Sequence, residues 1–160
     1  MAWAGTTKQR NAKRQGGGDI VPLRMKASTT IYKGTWVWID AHDGLVQGDV
    51  VEATLASGDM FAGIAAETKT STTATPCYIN TYVTGTFKFK TVDTAAATDI
   101  GQIIYTDNAT NTTEGGNYCL LALGGSGLYL GICVDVDIGA STRKVKIDGY
   151  ACHTHGKATG

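Results

Sequence analysis

The chain has 160 residues, is 42% hydrophobic and 18% charged, and carries a formal net charge of zero. That length allows a single core of useful size. No apolar run approaches the ~20 residues of a membrane-spanning helix, and none near the start reaches the ~7–15 residues of a signal-peptide core, so synthesis and retention in a cytosol are expected.

The charge is unevenly placed. Within residues 1–26, Lys8, Arg10, Lys13, Arg14, Arg24 and Lys26 stand against Asp19 alone, which leaves the remainder net acidic. Residues 1–28 have RQGGGD at their centre and show no hydrophobic periodicity. They read as an extended basic arm, ordered only on a partner. Met1–Trp3 is an apolar tip, so Trp3 and the six basic side chains form the candidate partner-binding set. A solvated terminus is the plain alternative.

From Thr29 the texture is β-like. TTIYKGTWVWID (29–40) alternates with apolar groups on both faces, as expected for a strand buried on both sides or lying at an interface. Asp43-Gly44 marks a turn. GDVVEATLA (48–56) and MFAGIAAE (60–67) follow as strands, then a polar loop at 68–76. CYINTYVTGTFKFKTVD (77–93) is the longest β signal; it sets Phe87, Phe89 and Thr91 on one face, and Gly85 is expected to interrupt it. TAAATDIG (94–101) suits one helical turn. QIIYTDN (102–108), GNYCLLALG (116–124), LYLGICVDVDI (128–138) and RKVKIDGY (143–150) complete eight or nine short strands. With 21 glycines and two prolines, the expectation is an all-β barrel or sandwich over residues 29–150. Residues 151–160 form a tail. No exact internal repeat is visible.

Candidate chemistry is sparse. CHTHG near the end holds Cys152, His153 and His155, but neighbours in an extended chain point opposite ways. A tetrahedral site needs four convergent donors, and the other histidine is His42. GGSGLYLG (124–131) lacks the Lys-Ser/Thr of a phosphate loop and reads as a hairpin turn. Ser57, Ser71, Ser126 and Ser141 sit in turn-like segments rather than in a nucleophile elbow. Asp135 and Asp137 alternate with Val134 and Val136, the pattern of a solvated strand face. Cys77, Cys119 and Cys133 lie in apolar contexts and are expected to be small buried hydrophobes. No enzyme activity, cofactor or resident metal is expected. Trp36 and Trp38 share a strand face and serve as core, as an oligomer contact, or as a platform that stacks sugars or bases.

The order of segments carries a resemblance. Gly63-Ile64-Ala65, Val83–Phe87, Ala95–Ala97, Gly101–Tyr105, Leu130-Gly131-Ile132 and Val145–Gly149 fall in the same order as in the phage capsid cement (head decoration) family, which this chain resembles over roughly residues 34–149. The basic arm, the inserted YCLLALGGSG and residues 151–160 depart from that pattern. The resemblance implies a structural protein of the virion. It would bind the major capsid protein on the outer face of an expanded head, between capsomers, often as a trimer, and resist internal DNA pressure. Neither a membrane nor nucleic acid is an expected partner. The arm would dock on the capsid, and removing residues 1–26 would leave the β domain folded. The alternative from the residues alone is a small carbohydrate- or nucleic-acid-binding β module that uses Trp36, Trp38 and the arm. A metal-binding or redox protein built on the tail is a third.

Overall fold

The computed structural model describes residues 13–14, 19–48, 56–73, 77–106, 118–121 and 127–148. Thirteen short strands appear among them, more than the eight or nine expected, because two of the long β signals each break into a pair and three further strands form within the expected arm and the 68–76 loop. TTIYKGTWVWID gives β3 (Thr30–Ile31) and β4 (Trp36–Ile39); CYINTYVTGTFKFKTVD gives β8 (Tyr78–Tyr82) and β9 (Thr84–Thr91). That second break falls at Val83. Gly85 lies inside β9, paired with Ile147, and does not form the expected turn.

The first half of the described chain is a five-stranded sheet. It contains β2 (Ile20–Arg24), β8, β6 (Met60–Ala65), β4 and β5 (Val46–Gly48), in that spatial order. A parallel bridge from Met25 to Val46 joins its two ends. The second half holds β9, β11 (Tyr118–Leu120), β10 (Ile103–Thr106), β12 (Tyr129–Asp137) and β13 (Thr142–Asp148), with β13 returning to β9 to close the ring. Here the joining pair is also parallel, β11 on β9. A small third sheet pairs β3 with β7 (Lys69–Thr70), inside the stretch expected to be a loop. A 3-10 turn spans Ala97–Asp99, where one helical turn was expected.

The two halves repeat one another residue for residue. β4 pairs with β6 through Trp36–Ile64, Val37–Gly63 and Trp38–Phe61, with a bulge after Val37. β10 pairs with β12 through Ile103–Ile132, Ile104–Gly131 and Tyr105–Tyr129, with a bulge after Ile104. Gly34 N–H donates to Ala65 O at 2.8 Å, and Ala65 N–H to Thr35 O at 3.0 Å; Gly101 to Cys133 O and Cys133 to Gln102 O repeat both bonds at 2.8 and 3.0 Å. Met25 N–H to Cys77 O has its counterpart in Thr91 N–H to Ser141 O. The repeat is one of backbone pattern and burial, and few side chains match across it, so the sequence shows little of it beyond the spacing of a few glycines.

A close approach recurs at the centre of each half. A Cβ on Gly63 would stand 2.1 Å from Tyr82 O, and one on Gly131 2.1 Å from Lys146 O. Both residues also have positive φ, 154° and 157°, where an L side chain is strained. These oxygens occupy the same place in the two halves, since Tyr82 pairs with Ile64 and Lys146 with Ile132.

Two apolar cores follow. Met25, Ile31, Val37, Val46, Ala62, Ala65 and Ile79 fill the first half. The larger cluster fills the second and continues into the contact between halves, where Trp36, Trp38, Phe61 and Ile64 meet Phe87 and Phe89. Trp36 lies 6.4 Å from Phe89, and Tyr82 5.9 Å from Phe87, ring centre to ring centre. Such tilted pairs are worth about 0.5–1.5 kcal/mol each beyond area burial. Against this, the Trp36 Nε1 has no hydrogen-bond partner, a cost of about 1–3 kcal/mol. Phe87, Ile104 and Val145 are interior, as their pattern suggests, whereas Ile132 is half-buried and faces outward.

The expected arm does not reach residue 28. β2 is hydrogen-bonded along β8 from Ile20–Tyr82 to Arg24–Tyr78, and Met25 is 3% exposed in the core. Pro22 obscures this strand in the sequence, yet β2 borders only β8 over its length, and an edge strand tolerates the missing N–H. Upstream, β1 (Lys13–Arg14) pairs with Lys88 and Phe87 of β9. The N-terminal segment therefore touches both halves. Removing residues 1–26 would strip an edge and a core methionine from the first half, so that truncation is expected to unfold it rather than spare it.

Gly131→Ala is expected to cost about 3 kcal/mol or more, through backbone strain and displacement of a strand. Gly101→Ala, at φ 88° with nothing within 4 Å of the added carbon, should cost about 1–2 kcal/mol. Urea denaturation of the two variants measures the difference; equal losses would show that the close approach does not matter.

Candidate functional site

Among the described residues, Arg143 on β13 is a heavily connected polar group. Alternation along TRKVKID turns it inward with Val145 and Ile147, and it is fully buried. Its Nε and Nη2 both donate to Asp99 Oδ2, at 2.9 and 2.8 Å. Nη1 donates to Asp93, and Nη2 also reaches Thr94 O at 3.3 Å. Asp99 Oδ2 additionally accepts the Ala96 N–H at 2.9 Å, which closes the 3-10 turn. Asp93 Oδ2 accepts the Leu121 N–H at 3.0 Å. One guanidinium thus ties the 93–99 bend and the end of β11 to the barrel wall. Burial acts to raise the Asp99 carboxyl, but the Ala96 N–H and Arg143 outweigh it and hold it below the usual range. Burial acts to lower the Arg143 guanidinium, and Asp93 and Asp99 outweigh that and raise it. These groups are spent on each other, which makes the cluster a brace rather than an acid–base pair.

Nearby, Cys119 is fully buried and burial pushes its thiol up to about 12. Cys133 is also buried, and its thiol is raised for the same reason. Both act as the small hydrophobes expected; Cys77 is half-buried. Thiols this far from ionisation are poor nucleophiles and poor metal ligands.

Asp135 and Asp137 line a shallow surface groove with Lys88 and Lys144. Lys144 Nζ lies 2.8 Å from Asp135 and Lys88 Nζ 3.7 Å from Asp137. The Lys144 hydrogen bond, followed by the Val136 N–H, holds the Asp135 carboxyl below its ordinary value. Carboxylates paired with lysines across an exposed strand face form a solvated charge ladder.

The candidate partner-binding residues do not gather into one patch. Trp3, Lys8 and Arg10 lie outside the described residues. Lys13 and Arg14 belong to β1, on the second half, whereas Arg24 is exposed on β2 of the first. Lys26 is engaged within the chain: its Nζ lies 2.8 Å from Asp40 and 3.2 Å from Asp43. Those bonds raise the Lys26 amine, and Lys26 in turn holds Asp40 low. Trp36 and Trp38 are 0% and 2% exposed, so they form core at the contact between halves, and no base or sugar can stack on them. His42 directs its backbone N–H to Asp40 Oδ1. CHTHG lies outside the described residues, and among those described no group of three or more His, Cys, Asp or Glu is placed to hold a metal ion.

Sequence reading missed Arg143, Asp93 and Asp99 as a unit. The one available signal was the odd positive charge at an inward position of an alternating strand. The duplication had a signal too, in the similar spacing of Gly34 and Gly63 to Gly101 and Gly131. No family model matches the chain, nor does any curated protein or solved structure.

Arg143→Met would leave Asp99 buried without its cation, at a cost of about 3–5 kcal/mol. In the native protein the Asp99 carboxyl lies below its unfolded value, so its contribution is present above about pH 4 and is lost as pH falls through the lowered folded value. In the variant that carboxyl is raised instead. The penalty should be large at pH 7 and shrink toward pH 4, as read by urea melts at both. A penalty independent of pH would contradict this assignment. Cys119 and Cys133 should react with a thiol reagent only on unfolding; rapid native labelling of either would show that its wall opens.

Proposed function

We propose that this protein is a structural decoration (cement) protein of a phage head. It binds the major capsid protein on the outer surface, between capsomers, and stabilises the shell against the pressure of packaged DNA. It is made in the host cytoplasm and resides on the virion.

The observation that carries this reading is where the cement-like segments fall in the fold. Gly63-Ile64-Ala65 and Leu130-Gly131-Ile132 are the equivalent centres of the two halves, at the close approaches to Tyr82 and Lys146. Val83–Phe87 is the crossing from one half to the other, and Gly101–Tyr105 leads into β10. The resemblance therefore rests on positions that build the body. That is the pattern of a protein selected to bind and brace. The described buried polar groups serve the same end, Arg143 most plainly. Bridging of neighbouring capsid subunits by many copies converts modest contacts into a strong shell.

The alternative of a carbohydrate- or nucleic-acid-binding module drew on Trp36 and Trp38 as a stacking platform, and their burial removes that basis.

The test is co-sedimentation of the purified chain with expanded, undecorated heads at low and high salt. Saturation at a fixed number of copies per shell is expected. Failure to bind heads, together with salt-sensitive retention on DNA or retention on glycans, would overturn the reading. The arm is tested by a shorter truncation than the sequence suggested. Deleting residues 1–12 spares β1 and β2, and should weaken head binding while leaving the melting transition unchanged.

A further inference from the structure

The duplication lets each position of one half be judged by its counterpart in the other. Thr35 N–H donates to Tyr32 O at 3.1 Å and Gln102 N–H to Asp99 O at 2.9 Å, so the turns that lead into β4 and β10 correspond. Lys33 and Ile100 are therefore equivalents, and both are exposed. Register makes Ile103 and Ile132 the equivalents of Trp36 and Ile64. Ala65 and Cys133 share the same pair of backbone bonds, so Ala66 corresponds to Val134.

On the first half, Trp36 and Ile64 are 0% and 1% exposed, because they pack with Phe87 and Phe89 of the second half. On the second half the same positions stay open. Ile103 is 40% exposed and Ile132 half-buried. The rim is more apolar as well. Where the first half has Lys33 and Ala66, the second has Ile100 and Val134, 50% and 42% exposed. Ile103 and Ile132 are direct cross-strand partners, and Gly101 N–H to Cys133 O sets the turn that bears Ile100 beside the stretch that bears Val134. Single apolar side chains are ordinary on a surface, whereas a contiguous group marks a contact.

The turn is also held from within. Asp99 immediately precedes Ile100, and Arg143 grips it through Nε and Nη2. The first half has Tyr32 and Ile79 at these places, which cannot form such a brace. Fixing an exposed aliphatic turn before binding lowers the ordering cost of a contact. Charge borders the patch on one side. Lys146 stands across from Ile132, exposed and without an ion-pair partner among the described residues, whereas Lys144 is occupied by Asp135.

We propose that Ile100, Ile103, Ile132 and Val134, bordered by Lys146, form the face that seats on the major capsid protein. The capsid surface that fits it carries apolar side chains at its centre and a carboxylate opposite Lys146. The chain's own joint shows the central chemistry, since Phe87 and Phe89 pack at the equivalent place on the first half. This inference rests on the decoration reading and adds to it the face used and the character of its partner.

The experiment is a co-sedimentation titration of expanded, undecorated heads with the full chain and four variants, each first checked for a native melting transition. Ile103→Asp and Val134→Asp should each weaken binding roughly thirtyfold or more, as expected for a charge placed in an apolar contact centre. Lys146→Glu should weaken it roughly tenfold and make it less sensitive to salt. Ile20→Asp, at a site 49% exposed on the first half, should bind as the unmodified chain does. If an aspartate variant does not fold, thiol labelling of Ile100→Cys replaces it, read by peptide mass spectrometry. That cysteine should react in the free protein and be protected on heads, while Ile20→Cys reacts in both. Heads that bind the unmodified chain, Ile103→Asp and Val134→Asp alike would overturn the assigned face and leave the decoration reading standing. Unprotected Ile100→Cys on heads, or equal weakening by Ile20→Asp, would do the same, and unweakened Lys146→Glu would overturn the facing carboxylate. An unmodified chain that fails to bind heads would overturn the decoration reading itself, and this inference with it.

Discussion

Two carbonyl oxygens, of Tyr82 and Lys146, lie 2.1 Å from where a first side-chain carbon would stand on Gly63 and Gly131. The absence of that carbon lets β6 press against β8 and β12 against β13 beside a bulge. Strand alternation just before the bulge sends Val37 and Ile104 inward and their neighbours Trp36 and Ile103 outward. Each half curls tightly enough for its ends to meet only because a strand can bend there. Closure leaves fewer sheet edges in need of protection, and it produces the outer faces through which the halves pack.

From this common plan the halves have diverged in how they seal. The position of Ile79 in the first half is that of Arg143 in the second, as the pairings with Leu23 and Phe89 show. Ile79 joins an apolar cluster with Met25 and Ile31. Arg143 instead binds Asp93 and Asp99 and holds a bend against the wall. An apolar seal is not geometrically selective. A forked cation with two carboxylates fixes one arrangement of the bend, although whether the pair adds net stability over an apolar triad depends on its desolvation cost.

A body of this kind suits a task carried by surfaces. Trp36, Phe61, Phe87 and Phe89 of the core are committed to the joint between halves, and the acidic residues that drew attention in the sequence are paired with lysines. The N-terminal segment strengthens the joint by pairing with β9 on one half and β8 on the other. What remains for partners is the outer face of the second half, where Ile103 and Val134 are exposed, and whatever the residues before Lys13 contribute. A decoration protein has to present such surfaces in fixed relative positions, and a joint sealed by Trp36, Phe61, Phe87 and Phe89 supplies that rigidity.

The sequence by itself determined the class of structure. Alternation in TWVWI, TFKFKT and LYLGIC, with glycine at the breaks, permits strands buried on both faces and little else, because side-chain period follows from backbone geometry alone. It also determined that Cys119 and Cys133 lie in apolar surroundings and that Phe87 and Phe89 share a face. Only the tertiary structure decided that IVPLR is a strand. Pro22 breaks the local pattern, and the edge position that tolerates it exists only once β8 is beside it. Arg143, Asp93 and Asp99 come together across distant positions of the chain, which no local spacing announces. The duplication was hidden for a related reason. Hydrogen-bond register and burial are what the halves share, and many different side chains satisfy the same register. Which outward face is covered depends on where the other half lies, so Trp36 is core and Ile103 is surface although both stand at the same place in the repeat.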